Sequence, residues 1–202
     1  IWARHLISVA DSAEDHAYSR ALLDGTRQVP GLAVDTDLRW QIVMSLAADG
    51  ADDGGALIDA ELERDPTDIG ERRAASARAS RPSAEAKADA WARLTEPSDL
   101  PLAMLRATAG GFGVIGQDEF LAPYVEPYFE SVAKFWEERS RDEALSLIRG
   151  LFPGALIGQE VLDATDAALA DDALPGPVRR ILLESQDQMA RALRGRAADQ
   201  QA

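Results

Sequence analysis

The chain has 202 residues, 46% hydrophobic and 28% charged, which is long enough for one domain that buries about 70% of its extended-chain surface. It contains no cysteine, which excludes disulfides, thiolate catalysis and cysteine-rich metal sites. Its formal charge of −14 comes from 35 acidic and 21 basic residues. This charge argues against nucleic acid as a partner, because binding to a phosphate backbone requires clustered lysine and arginine.

No apolar run approaches the roughly 20 residues that cross a bilayer, and no signal or transit peptide is visible. We therefore expect a cytoplasmic protein that does not enter a membrane. The excess of acidic residues is a common solubility device, although the same negative field would favour cationic peptides.

The first residues have the pattern of a helix inside a longer polypeptide. The chain starts at Ile1 without an initiator methionine, and Trp2, Leu6 and Val9 fall on one predicted helix face. This pattern predicts that a preceding part of the polypeptide packs against that face.

A second helix is predicted at 12–23, because Asp15 follows Ser12 with the spacing of a capping box. Residues 28–34 contain a proline and a glycine, which predict an extended connector. This connector leads into the next pair of helices.

The stretch after the connector reads as a complete helical hairpin. Asp35 is a predicted N-cap, and the helix that follows ends at 49–50. Its buried stripe is predicted to contain Leu38, Ile42, Val43 and Leu46. A second helix begins near Asp53 and ends at Asp65, because Pro66 cannot continue the helical hydrogen bonds.

The rest of the chain repeats this pattern. Further helices are predicted from 65 to about 80 and at 83–94, 99–109, 117–139, 140–151, 159–169 and 177–197. Gly110 and Gly111 are predicted to end one of them, and Pro123 and Pro127 to divide or kink another. Hairpin starts recur every 30 to 42 residues or so, roughly the period of helical repeat arrays. We predict an all-α, HEAT/armadillo-like superhelical stack of antiparallel helix pairs, with about ten helices in a single domain over 1–202.

Six runs spread along nearly the whole chain carry a family resemblance. They are GLAVDTDLRW at 31–40, ELERDPTDIG at 61–70, AEAKADAW at 84–91, GF at 111–112, LAPYVEPYF at 121–129 and RRILLE at 179–184. Together they resemble the C-terminal helical domain of bacterial aminopeptidase N, a zinc metallopeptidase. The resemblance implies a non-catalytic cap of an enzyme that removes N-terminal amino acids from peptides.

The resemblance also implies partners. The cap would pack over the N-terminal zinc catalytic domain of the same polypeptide and enclose the cavity that receives a peptide substrate. Zinc would belong to that domain, with no cofactor in this chain. The alternative is a stand-alone helical-repeat scaffold that binds a protein or peptide on its concave face. The apolar face of Trp2 and Leu6 favours the cap, because a stand-alone array should begin with a polar capping repeat.

Catalytic motifs are missing from the sequence. The zinc-hydrolase motif H-E-x-x-H needs two histidines one helical turn apart with a glutamate between them, and neither His5 nor His16 fits this frame. No nucleophile elbow of the Gly-x-Ser-x-Gly type and no phosphate-binding loop is present. We therefore predict no catalytic, cofactor-binding or metal-binding residue in this chain.

Arg39 is the first candidate for a specific role. It lies on the helix that the resemblance marks most clearly, and we predict a structural ion pair with Asp35, Asp65 or another carboxylate between successive hairpins. Contact with a peptide is the alternative.

Three residues around the predicted glycine break are candidates for the substrate cavity. They are Arg106, Phe112 and Gln117. Loops at helix junctions are where repeat arrays place binding groups, which favours substrate contact, while packing is the alternative.

Overall fold

The computed structural model describes residues 2–8, 12–97 and 99–199, and all regular structure within these ranges is helical. The α-helices are α1 (Trp2–Ser8), α2 (Ala13–Leu23), α3 (Thr36–Ala48), α4 (Gly54–Arg64), α5 (Asp68–Ser80), α6 (Ala84–Thr95), α7 (Leu102–Phe112), α8 (Asp118–Leu121), α9 (Val125–Glu138), α10 (Arg141–Gly150), α11 (Gln159–Leu169) and α12 (Gly176–Asp199). The side chain of Trp2 and all of Val9, predicted to share a packing face, lie outside the described part.

Local sequence signals set several helix ends. Ser12 forms the predicted capping box of α2 with Asp15. A carboxylate oxygen of Asp35 accepts a hydrogen bond of 2.8 Å from the backbone N–H of Leu38 at the start of α3. Gly50, at a φ of 80°, takes the left-handed conformation that follows a helix end, so α3 stops where predicted. These ends were predictable because each depends on neighbouring residues.

The predicted helix break at the glycine pair is wrong. α7 starts at Leu102 and continues through Gly110 and Gly111 to Phe112. The reason is a close crossing of α5 and α7, since a Cβ atom on Gly111 would lie 2.1 Å from the backbone oxygen of Ser76. Glycine permits this approach of two backbones, and it does not end the helix here.

The predicted helix over 117–139 is divided, as its two prolines indicated. α8 is followed by a 3-10 turn at Ala122–Tyr124, and α9 begins directly after it. α9 carries the predicted apolar stripe, in which Tyr128, Val132 and Phe135 are buried.

The helices form a stack with one continuous row. In this row α3, α5, α7, α10 and α12 each contact the next. α4 contacts α3 and α5, α6 contacts α5 and α7, and α9 contacts α10 and α11, so a second set of helices flanks the row. α1 and α2 both contact α3. The prediction of an all-α helical stack is confirmed.

Buried apolar side chains form three clusters along the stack. The first, in the N-terminal helices, comprises Ile7, Leu22, Leu38, Ile42 and Leu46. The second comprises Trp40, Val43, Ala47, Ile58, Ala74 and Ala77. The third extends from α5 to α12, and its members include Ala79, Leu105, Phe112, Tyr128, Leu147 and Leu182. α5 contributes to the second and third clusters, so the two meet at this helix.

A buried lysine joins α5 and α7 where these clusters meet. Lys87, on α6, is fully buried, and its Nζ donates hydrogen bonds of 2.8 Å to the carbonyl oxygens of Ala79 and Phe112, in the last turns of α5 and α7. No carboxylate of the described residues pairs with it, and loss of solvation lowers the pKa of its amine to about 8. The partial negative charge of two helix C-termini offsets part of this desolvation.

A glutamine makes the corresponding connection between α3 and α5. Gln117 is 5% exposed, and its Nε2 donates hydrogen bonds of 2.8 Å to the carbonyl oxygens of Ala48 and Ser80, the last residues of these two helices. Lys87 and Gln117 therefore satisfy carbonyl groups that helix ends leave without intrahelical partners. We call the ends of α3, α5 and α7 with these two side chains the helix-end junction.

An ion pair holds the N-terminal helices together. From α3, Arg39 donates through Nε and Nη2 to the carboxylate of Glu61 on α4, at 2.9 Å and 2.7 Å, and through Nη1 to the carbonyl oxygen of Leu23 at 2.7 Å. Leu23 is the last residue of α2, so one guanidinium connects three helices. Glu61 is only 3% exposed and Arg39 18% exposed.

The structural ion pair predicted for Arg39 is present, with Glu61 as the carboxylate. The two named partners, Asp35 and Asp65, have other roles, so the pairing of Arg39 with either of them is wrong. Asp35 caps α3 and lies 3.4 Å from the guanidinium of Arg4. Asp65 accepts a hydrogen bond of 2.8 Å from the indole N–H of Trp40. Both carboxylates lie next to helix ends, whereas Glu61 faces Arg39 across the hairpin, which explains the choice of partner.

Replacement of Glu61 should destabilise the protein. We expect Glu61→Ala to lower the free energy of unfolding by about 3 kcal/mol, because it leaves a largely buried guanidinium without its carboxylate. Urea unfolding followed by circular dichroism measures the change. Glu63→Ala removes an exposed carboxylate from the same helix and should cost less than about 0.5 kcal/mol. Equal small losses for both variants would contradict a structural role for the ion pair.

Lys87 should make stability depend on pH. Its amine has a pKa of about 8 in the folded chain against 10.5 for an exposed lysine, so the unfolded chain binds more protons between these values and stability rises with pH. Between pH 7 and about pH 9.5 the free energy of unfolding should rise by about 2 kcal/mol. Lys87→Met should lack this gain when urea unfolding is measured across the window.

Lys134→Met is the matched control. Because Lys134 is exposed, this variant should show the same rise in the free energy of unfolding with pH as the wild type. The window ends below pH 10 because burial raises the pKa of the Tyr128 hydroxyl, and tyrosine ionisation then favours the unfolded chain. If the wild type and Lys87→Met have parallel pH profiles, the amine is not desolvated in the folded state.

Candidate functional site

The candidate residue Arg106 lies in a surface groove between α7 and α10. The groove has a volume of about 400 Å³ and is lined by Arg106, Ala109, Gly110, Asp142, Leu145, Ser146, Arg149 and Gly150. Nε of Arg106 donates a hydrogen bond of 3.0 Å to the hydroxyl of Ser146, which donates one of 2.6 Å to the carbonyl oxygen of Asp142. These bonds orient the guanidinium. Its two terminal nitrogens bond to no acceptor among the described residues, so they are available to an anion.

The groove is more basic than the chain as a whole. Two arginines and one carboxylate line it, in a chain of formal charge −14. Arg149 lies 3.7 Å from Glu184 and is 66% exposed, so solvent screens this pair. Arg106 forms no ion pair within the described residues, which makes a carboxylate the ligand group that its guanidinium suits best.

Close helix packing fixes the backbone on both sides of the groove. A Cβ atom on Gly150 would lie 2.8 Å from the Cβ of Ala109, so α7 and α10 are nearly in backbone contact there. The side chains of Arg106 and Ser146 therefore extend from a rigid surface.

The structure does not bring the other two cavity candidates to this groove. Phe112 is 4% exposed, and its ring makes an edge contact with Tyr124 at a centroid distance of 5.2 Å. Gln117 is buried in the helix-end junction. The expectation that a glycine loop gathers all three residues fails because α7 is continuous at that position. Of the three, Arg106 is the residue on an open surface.

A second groove was not identified from the sequence. It has a volume of about 860 Å³ and lies between the end of α2, the connector and α4, with Arg39 and Glu61 in its lining. The available signal was the apolar character of the connector, in which Val29, Leu32 and Val34 are half-buried and pack on the first cluster.

The described ranges contain no cluster of three or more His, Cys, Asp or Glu side chains with the geometry of a metal site. His16 lies 3.0 Å from a carboxylate oxygen of Asp49, so it connects α2 to the end of α3. In the same ranges, no helix combines the length and the apolar character that spanning a bilayer requires.

Comparison with known proteins places the chain in a family. A family model described as the ERAP1-like C-terminal domain matches residues 2–191. Aminopeptidase N of Streptomyces lividans is 46% identical over 198 residues, which is 98% of this chain and 23% of that protein. The chain thus spans less than a quarter of this relative's length. It belongs to the family of ERAP1-like C-terminal domains, and the expected resemblance to the C-terminal domain of bacterial aminopeptidase N is confirmed.

Proposed function

We propose that the chain is the non-catalytic C-terminal cap of a zinc-dependent aminopeptidase N. The observation that carries this proposal is the 46% identity, over 98% of the chain, to an aminopeptidase N of which it spans 23%. In this proposal the zinc and its ligands belong to an N-terminal catalytic domain of the same polypeptide.

The cap acts on the peptide and not on the scissile bond. It packs over the catalytic domain and encloses the cavity that receives peptide substrates. Zinc bound in the catalytic domain would supply activation of a water molecule for hydrolysis. The cap contributes binding energy to parts of the peptide remote from that bond, which can raise the rate only for peptides long enough to reach it.

Arg106 is the residue that we assign to this contact. Its terminal nitrogens are free within the described chain, and its Nε is held by Ser146. A guanidinium oriented in this way can bind a peptide carboxylate through charge-assisted hydrogen bonds. A single domain over 1–202 and a cytoplasmic location accompany this proposal as predictions.

Charge reversal at Arg106 in the full-length enzyme should separate long from short substrates. We expect Arg106→Glu to lower kcat/KM for a long peptide. The decrease should correspond to a loss of about 1 to 3 kcal/mol in transition-state binding, the usual strength of hydrogen bonds to charged groups. Turnover of a minimal amino-acid amide should stay unchanged, because that substrate cannot reach the cap. Steady-state kinetics with both substrates provides the measurement.

Arg194→Glu is the matched control, since Arg194 is exposed on α12 and outside the groove. Arg194→Glu changes the net charge by the same amount as Arg106→Glu and should leave kcat/KM for both substrates unchanged. Equal losses for the long and the minimal substrate with Arg106→Glu would contradict the proposed role. If kcat/KM falls for neither substrate, Arg106 is an ordinary solvated surface residue without a role in peptide binding.

A further inference from the structure

The groove beside the connector has the dimensions of a binding site. We call it the connector groove; it is bounded by the end of α2, residues 24–34 and α4. Its volume of about 860 Å³ lies within the range of protein sites that hold small ligands. Apolar side chains line much of it, namely Leu22, Leu23, Val29, Leu32, Val34 and Leu57. An occupant with apolar side chains would therefore be desolvated there.

The connector also has main-chain groups without a hydrogen-bond partner among the described residues. Residues 32–35 have no regular secondary structure. The backbone N–H groups of Val29 and Val34 donate no hydrogen bond within the described residues. An extended peptide can pair with such main-chain groups while its side chains enter apolar pockets, and this is a common mode of peptide recognition.

The charged residues of the connector groove suit an anion. Arg27, Arg39 and Arg64 line it together with Asp24 and Glu61, which leaves an excess of one positive charge. Nη1 of Arg39 bonds to Leu23 and Nη2 to Glu61, so each terminal nitrogen retains one N–H without an acceptor among the described residues. Arg64 is 65% exposed and lies 4.0 Å from Glu61. Two neighbouring arginines can thus donate to one carboxylate.

We propose that the connector groove binds a free, extended peptide with apolar side chains and a C-terminal carboxylate, and that Arg39 and Arg64 hold the carboxylate. An uncharged apolar ligand would leave the free N–H groups of Arg39 unused, and a small anion would leave the apolar walls exposed. A peptide with apolar side chains and a C-terminal carboxylate covers the apolar walls and also accepts hydrogen bonds from the arginines. The site is distinct from the α7–α10 groove, and it does not depend on the proposed cap function, because it uses only residues of this chain.

Binding can be tested by NMR on the ¹⁵N-labelled chain. The probe is N-acetyl-Ala-Leu-Val-Leu with a free carboxylate, compared with the same peptide as a C-terminal amide. We expect the acid to shift the amide resonances of Val29, Val34 and Leu57. The amide-terminated peptide should bind about tenfold more weakly, because it loses charge-assisted hydrogen bonds to the arginines.

Arg64→Glu identifies the contribution of the charge. Because Arg64 is exposed, the variant should retain the wild-type circular dichroism spectrum, and it should weaken binding of the acid about tenfold while leaving the amide-terminated peptide unaffected. Arg194→Glu, an equal charge change on α12, should bind both peptides like the wild type. The proposal is overturned if neither peptide shifts the groove resonances, if shifts occur only around Arg106, or if acid and amide bind equally. None of these results would bear on the cap function, which is measured with the full-length enzyme.

Discussion

The stack depends on how the carbonyl ends of α3, α5 and α7 are satisfied. The last carbonyl groups of α3, α5 and α7 lie close together, and each helix end leaves several carbonyl groups without an intrahelical partner. Lys87 bonds to the ends of α5 and α7, and Gln117 to the ends of α3 and α5, so each side chain fixes two helices relative to one another. A neutral lysine amine still has two N–H donors, so these bonds persist after deprotonation while the desolvation cost of the charge disappears.

This junction positions one wall of the α7–α10 groove, and the ion pair of Arg39 positions one wall of the connector groove. α7 ends on Lys87 and also carries Arg106, so the position of that guanidinium relative to α3 and α5 depends on the junction. On the N-terminal side, the bonds of Arg39 to Glu61 and to the end of α2 fix one wall of the connector groove. Each groove thus contains an arginine that is held by part of its guanidinium and has further N–H groups without an acceptor among the described residues. Positioned donors of this kind lose little conformational entropy on binding.

Local features were predictable from the sequence and long-range ones were not. The Ser12 and Asp35 caps, the buried stripe of α3 and the division of the proline-containing helix all depend on residues a few positions apart. Gly111 has the sequence pattern of a helix end, but it lies inside α7, where close contact with Ser76 on another helix leaves no room for a side chain. The burial of Lys87 has no local signal, because a lysine among alanines and acids is typical of an exposed helix face. Gln117 bonds to a carbonyl 69 positions away, which no motif indicates.

Differential scanning calorimetry of the double variant Lys87→Met, Gln117→Ala tests the helix-end junction most directly. The wild-type chain should unfold in one transition, with equal calorimetric and van 't Hoff enthalpies, because the junction couples the second and third apolar clusters. Without both side chains, the helices before and after the α5–α7 contact should melt separately, since stacked helices depend on nearest-neighbour interfaces for cooperativity. We predict two resolved transitions for the double variant, or a calorimetric enthalpy well above the van 't Hoff value. A single transition with an unchanged Tm would contradict it.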